Sequence, residues 1–318
     1  MEFERKVEDI EEKIKELEIF SAEKGIALGE EIQKLKDFRD QFLEEIYKEV
    51  TDWDKVSISR HPMRPHTVDY IEYLVEDFVE LHGDRLFRDD PAIVGGLGKI
   101  DGKAMMIIGH EKGRGTEDKI KRNFGMANPE GYRKALRLFH MAERFHLPVL
   151  VLIDTAGAYP GLEAEQNGQG EAIARNLMEM SDLKTPIISV VIGEGGSGGA
   201  IGLGVADKVY MLEHSIYSVI SPEGCAAILF KDSSKAPEAA QNLKISAQNL
   251  LRLGVIDGII PESLGGAHRD PKRTAINLKN IILSSFQELE QIPLEDLLEN
   301  RYNKFRKMGK FKTKVEGE

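Results

Sequence analysis

The sequence predicts an α/β fold built on a largely parallel sheet, with a helical arm in front of it. Three observations point there. From residue 130 onward, helical and buried-strand patterns alternate at the spacing of right-handed crossovers. Upstream, two apolar runs flank Asp101-Gly102, a favoured two-residue turn of an antiparallel hairpin. Residues 1–50 repeat apolar side chains at steps of three and four, the period of a helix.

In the arm, Val7, Ile10, Ile14 and Leu17 form one stripe, and Ile32, Leu35, Phe38, Phe42 and Ile46 form another. Gly25 and Gly29 lie between them, where a turn between antiparallel helices needs them. Such a hairpin cannot bury its stripes alone, so it is expected to pack on the body or on another chain. Pro62 and Pro65 then keep their preceding residues out of helical geometry. A helix is expected from about Thr67, with Ile71, Leu74, Val75 and Phe78 on one face.

After the Asp101-Gly102 hairpin, "EGYRKALRLFHMAERF" reads as a helix and "LPVLVLID" as a short buried strand. "EAIARNLMEMSDL" is the next helix and "TPIISVVIG" the next strand. A helix is expected to open near Ser197, followed by the strand "DKVYMLEHS". "SPEGCAAILF" carries a helix start, with Ser221 as cap and Pro222 in the first turn. The division expected is an arm over 1–55, a main domain over 56–292 and a basic, helical tail over 293–318.

Composition excludes several classes. The chain has 318 residues, of which 41% are apolar and 31% charged, the balance of a soluble globular protein. A net charge of −11 argues against nucleic acid as a partner. Most of that imbalance sits in the arm, whose first 50 residues hold 16 acidic and 9 basic side chains. The single cysteine, Cys225, rules out an internal disulfide and a multi-cysteine zinc site. No run approaches the roughly 18 consecutive apolar residues of a membrane span, and no basic head precedes an apolar run as in a signal peptide. A cytoplasmic location without membrane association is expected.

The most informative stretch is "VIGEGGSGGA", residues 191–200, with five glycines in seven positions around Ser197. It fits the G-x-S-x-G pattern of a hydrolase nucleophile turn through Gly195, Ser197 and Gly199. That reading needs a base, for which His214 and His268 are the candidates. Gly193, Gly196 and Gly198 exceed what such a turn requires. Consecutive glycines at a helix start expose free N–H groups without an intervening side chain. Such a pair forms an oxyanion hole, where each donor is worth about 2.7–4 kcal/mol of transition-state stabilisation. A third reading gives the glycines only a packing role between strand and helix. A side chain at Gly199 is expected to obstruct a ligand without unfolding the fold, and Ser197→Ala to keep most activity.

Other motifs carry less. "DTAG", Asp154–Gly157, follows an apolar strand as in nucleotide switches, but no G-x-x-x-x-G-K-[ST] loop accompanies it. The basic run Lys112, Arg114, Lys119, Lys121 and Arg122 suits a phosphate-bearing ligand or a solvated loop, since Glu117 and Asp118 dilute it. Lys304, Arg306, Lys307, Lys310, Lys312 and Lys314 form a basic end, read as frayed or partner-facing. The eight histidines show no metal-ligand spacing, so no metal is expected in this chain.

At this point the segments "GEGGSGGAIGLGVADKVYMLEHSIYSVISPEGCAAILFKD", "IDTAGAYPG", "KRNFGMANPEGYRKALRLFHMAERF", "GGAHR" and "RHPMRPHTVDYIEYLVEDFVELHGDR" converge. Together they resemble the alpha subunit of bacterial acetyl-CoA carboxylase carboxyltransferase over nearly the whole chain. One departure is Ala156, where the family often has proline.

The resemblance implies a crotonase-type spiral of strand-strand-helix units. It implies a function in fatty-acid synthesis: carboxyl transfer from carboxybiotin, tethered to a biotin carboxyl carrier protein, onto acetyl-CoA to give malonyl-CoA. In that scheme carboxybiotin releases CO2, the biotin anion takes a proton from the acetyl methyl, and the enolate attacks CO2. Gly198 and Gly199 correspond to the pair whose amides face the biotin ureido oxygen, with Gly195 and Gly196 completing the biotin-binding turn. The implied partners are a zinc-ribbon beta subunit, in an α2β2 assembly, the carrier protein and biotin carboxylase.

Overall fold

The computed structural model describes residues 2–309. Lys310, Lys312 and Lys314 of the basic end lie outside them. The chain opens with α1 (Arg5–Lys24) and α2 (Gly29–Lys48), an antiparallel hairpin turned at Gly25, whose φ of +65° is left-handed. Its base is tied to the body: the Tyr47 hydroxyl donates to the Gly265 carbonyl at 2.7 Å, and Arg269 pairs with Glu11 at 2.5 Å.

α3 (Asp52–Ser59) starts on a Thr51–Asp54 capping box. α4 (Thr67–Leu74) then follows the proline-bearing linker. It stops before Phe78, contrary to the expected helical face, because residues 76–80 form the edge strand β1 (Glu76–Glu80). The physical reason lies in its neighbour β2 (Ile93–Ile100), which pairs with it antiparallel. A Cβ on Gly96 would collide with the Val79 carbonyl, and one on Gly98 with the Val75 side chain. These bare glycines let the strand close in, and ladder formation overrides the helical spacing of Ile71, Leu74, Val75 and Phe78.

β2 and β3 (Lys103–His110) form the expected hairpin. Asp101 and Gly102 both have positive φ, 47° and 75°, as the two-residue turn demands. The chain continues through α5 (Gly115–Lys121), α6 (Pro129–Arg144), β4 (Val149–Thr155), α7 (Leu162–Gln166) and α8 (Gln169–Ser181). Next come β5 (Ile187–Gly196), α9 (Ser197–Ile201), β6 (Lys208–Leu212) and β7 (Ile216–Ser218). The remainder is α10 (Pro222–Leu229), α11 (Ala236–Leu243), α12 (Ala247–Arg252), β8 (Gly258–Ile260), α13 (Pro271–Leu289) and α14 (Leu294–Arg306). Ser221 caps α10 by accepting from the Gly224 amide at 3.1 Å, as its sequence suggests.

The sheet runs β1-β2-β3-β4-β5-β6-β8, antiparallel up to β3 and parallel beyond it. Alternate residues of β4 serve two cores, the period-two logic of a strand covered on both faces. Val149, Val151 and Ile153 face α6 and α8 residues such as Leu138, Phe139 and Met180. Leu150 and Leu152 face Tyr70 and Ile71 of α4 and Leu278, Ile282 and Phe286 of α13.

One edge of β5 is used twice: Ile188–Val191 pair with β6, and Glu194–Gly196 pair with β7. The far end of β5 thus exchanges β6 for β7 just where the glycine turn begins, while Gly195 still pairs with Thr155 of β4. The basic end is not frayed as far as residue 306. Lys304 is held by Asp257 and donates to the Asp207 carbonyl at 3.1 Å. Beside it, fully buried Arg301 grips Asp207 at 2.7 Å.

Candidate functional site

Two loops at the carboxyl ends of neighbouring parallel strands meet, as an open α/β sheet favours. The loop after β4, Ala156–Ala158, lies directly on the turn between β5 and α9. A Cβ on Gly196 would overlap the Ala156 carbonyl, and one on Gly199 would come within 2.5 Å of the Gly157 carbonyl carbon and 2.7 Å of the Ala158 nitrogen. A Cβ on Gly195 would come within 2.8 Å of Tyr217 Cδ2. These three glycines are therefore obligatory for packing. Gly198 differs: a Cβ there meets only Ile173 Cδ1, at 3.4 Å.

The expectation that a side chain at Gly199 would obstruct a ligand while sparing the fold is thus corrected. Its Cβ points at backbone, which cannot rotate away.

Gly198 and Gly199 are the second and third residues of α9, so no earlier helical carbonyl lies one turn back to accept from their amides. α9 is a little over one turn long, and its dipole adds little; these amides act as individual donors. Beside Gly198 opens a cavity of about 420 Å³ lined by Ser197, Gly198, Ile201, Tyr217, Val219 and Leu250, among others, while Gly199 is buried behind it. Tyr217 is the one ionisable group on its wall, and burial pushes its phenol up to about 12, so it stays neutral.

The hydrolase reading fails on geometry. Ser197 is exposed on the cavity rim, with no histidine or carboxylate beside it there. His214 is buried with its ring against Tyr47, its amide donating to Glu262 at 2.9 Å. His268 stacks on His61 with centroids 3.9 Å apart and lines a different cavity. Desolvation lowers both imidazoles, His268 to about 3.

Ser197 has a φ of 47°, which a serine adopts at a cost of about 1–2 kcal/mol. Glycine there gives back about 0.5–1 kcal/mol in chain entropy. Ser197→Gly is therefore expected to be neutral to stabilising by about 1 kcal/mol in a denaturant melt. Destabilisation by more than that would show that the hydroxyl or Cβ holds the turn. The wild-type chain is expected not to react with a fluorophosphonate.

Sequence reasoning missed the charged cluster behind the turn. Lys112, read as part of a basic loop, is half-buried and bridges Asp154 at 2.7 Å and Glu194 at 2.9 Å. Arg60 pairs with Glu194 and Glu223, each at 2.6 Å. The available signal was Glu194 itself, a carboxylate inside a glycine run at the end of a buried strand. Of the other basic-run residues, Arg114 is held by Asp69 at 2.5 Å and Arg122 by Asp118 at 2.9 Å. Cys225 packs with Ala226 and Ala239 as a small apolar side chain. Among the described residues, no group of three or more His, Cys, Asp or Glu side chains is placed to hold a metal, and no helix is long and apolar enough to cross a membrane.

The family described as acetyl co-enzyme A carboxylase carboxyltransferase-like matches residues 1–309. An acetyl-coenzyme A carboxylase carboxyl transferase subunit alpha from Fusobacterium nucleatum is 67% identical over 311 residues, 98% of this chain and 99% of the relative. The subunit of the same name from Methylococcus capsulatus is 53% identical over 309 residues, 97% and 96% of the two chains.

Among solved structures, transcarboxylase 12S with methylmalonyl-coenzyme A bound superposes with a TM-score of 0.59 at 18% identity, covering 73% of this chain and 43% of that one. The beta subunit of Pseudomonas aeruginosa geranyl-CoA carboxylase gives 0.56 at 18%, covering 77% and 46%. These likenesses show the fold, which is of the crotonase type. With its full-length sequence match and this fold, the chain belongs to the acetyl-coenzyme A carboxylase carboxyltransferase alpha-subunit family and is a subunit of a carboxyltransferase.

Proposed function

We propose that the turn at Gly195–Gly199 is the biotin side of a shared active site, in which a carboxyl group passes from carboxybiotin to acetyl-CoA and yields malonyl-CoA for fatty-acid synthesis. The amides of Gly198 and Gly199 donate to the ureido oxygen as negative charge develops on it. Gly195 and Gly196 let β5 close onto Tyr217 and the Ala156 backbone, which fixes the turn that carries those amides. The observation that carries this reading is the first-turn amide of Gly198, with that of Gly199 next to it in the turn, at an apolar cavity on whose wall no charged side chain stands among the described residues. In apolar surroundings an N–H donor is worth more than in water, because no ionic group on the wall competes for the oxyanion.

Fit supports biotin, which reaches this site as a substrate on its carrier protein. Its fused rings and aliphatic arm suit the walls of Ile201, Val219 and Leu250, and its ureido oxygen needs donors but no metal. Neither of the two groups closest to acid–base use, Ser197 and Tyr217, is equipped to exchange a proton near neutral pH. The chain therefore binds and stabilises charge, and proton transfer belongs to the substrates themselves.

The acetyl thioester also develops an oxyanion, and a second donor pair is needed for it. A beta subunit of the same fold, in an α2β2 assembly, supplies that pair; biotin carboxylase charges the carrier. The purified chain alone is expected to transfer no carboxyl group from malonyl-CoA to free biotin, and to do so once the beta subunit is added. Sustained transfer by the chain alone would contradict the shared site.

A further inference from the structure

We propose that Lys112 is a positioning residue for the glycine turn, holding the ends of β4 and β5 together by neutralising Asp154 and Glu194 at once. The inference rests on the reading that the turn binds the biotin oxygen. Its basis is the way three residues far apart in sequence converge just behind that turn. Lys112 follows β3, Asp154 is the penultimate residue of β4, and Glu194 sits two residues before the end of β5.

The Lys112 ammonium lies 2.7 Å from Asp154 Oδ1 and 2.9 Å from Glu194 Oε2. Asp154 Oδ1 also accepts the Glu194 amide at 2.9 Å, so the aspartate fixes the backbone of β5 directly. Gly193 makes this possible, since a Cβ there would collide with the Asp154 carboxylate. Beyond Asp154 the chain enters Ala156–Ala158, the loop on which Gly196 and Gly199 rest. Displacing Asp154 thus moves both the turn and its support.

Charge makes Lys112 necessary rather than decorative. Asp154 and Glu194 are 2% and 8% exposed, and two buried carboxylates at this separation cannot both stay ionised without a cation between them. Arg60 serves the other oxygen of Glu194 and is shared with Glu223, while Arg64 is engaged with Glu262. His110, fully buried beside Asp154, is held down to about 4 by desolvation and brings no charge. No other cation among the described residues pairs with Asp154. The lysine stem is itself wedged in place, since a Cβ on Gly125 would meet Lys112 Cγ at 2.8 Å.

The test uses the complex with the beta subunit and follows transfer from malonyl-CoA to free biotin. Lys112→Met keeps the stem and deletes the charge; Asp154→Asn keeps the Oδ1 acceptor and deletes one negative charge. Lys112→Met is expected to lower kcat about a hundredfold, with the KM for malonyl-CoA unchanged. Its activity relative to wild type is expected to rise as pH is lowered from about 8 to about 6, because protonation of one carboxylate replaces the missing cation. Lys112→Met with Asp154→Asn is expected to recover at least about tenfold over Lys112→Met alone. A purely packing role predicts that the two losses multiply and that no pH rescue occurs, and either result would overturn the proposal.

Should Lys112→Met fail to assemble, assembly of the double variant decides: charge relief predicts recovery, and failure of both overturns the inference. Loss of the biotin reading is seen separately, in the Gly198 variants described below. If those show no donor effect while the lysine rescue succeeds, the oxyanion assignment falls and the charge bridge between the strands stands.

Discussion

Arg64→Met is expected to cost the chain about 3–5 kcal/mol of stability, the penalty for stripping one partner from a buried ion pair. Arg64 is 2% exposed and grips Glu262 with both terminal nitrogens, at 2.9 and 2.6 Å. Its Nε donates to the Ile192 carbonyl at 2.7 Å, so it joins the proline-bearing linker to β5 just ahead of Glu194. Glu262 also accepts the amides of His214 and Ala267, at 2.9 and 2.6 Å.

The Arg64 charge holds this carboxyl near 2 despite complete burial, below its ordinary 4.5. A depressed carboxylate stabilises the fold above its ordinary value and loses that contribution as pH falls through the folded value. The stability gap between wild type and Arg64→Met is therefore expected to be full at neutral pH. It should narrow as pH falls, first as the unpaired Glu262 of the variant takes up a proton and then as the wild type loses its own contribution from about 4.5 toward about 2. A denaturant series at several pH values measures it, and a gap that stays constant would mean that the arginine acts through packing alone.

Much of this architecture is written in local sequence. The arm, the Asp101-Gly102 hairpin, the alternation beyond residue 130 and the Ser221 cap each depend on residues within a few positions of one another. What was not legible depends on distant partners. Phe78 follows a helical period but joins a strand, because Gly96 and Gly98, some twenty residues on, admit it. β7 and β8 have three residues each, too few for a periodic signal. The Lys112–Asp154–Glu194 bridge joins residues 40 or more positions apart, and in sequence its lysine resembles its solvated neighbours.

The glycine turn was the reverse case. Sequence singled out the cluster, but only packing separates its members into four that must be glycine for close approach, Gly193, Gly195, Gly196 and Gly199, and one, Gly198, that need not be. That separation changes the informative experiment. Gly199→Val drives a branched side chain into the Gly157–Ala158 backbone, and a loss of activity there would report on packing.

Gly198 gives the direct measurement. Gly198→Ala adds a methyl that meets Ile173 at ordinary contact distance and keeps the amide donor. Gly198→Pro replaces the N–H by a ring carbon, at a first-turn position where proline costs no helical hydrogen bond. Both variants are to be assembled with the beta subunit and assayed for carboxyl transfer from malonyl-CoA to free biotin. Assembly and melting temperature are followed alongside. With the amide serving as an oxyanion donor, Gly198→Pro is expected to lose about a hundred- to a thousandfold in turnover while Gly198→Ala loses less than about tenfold. Equal turnover of the two folded complexes would contradict the donor role and leave the glycines to packing.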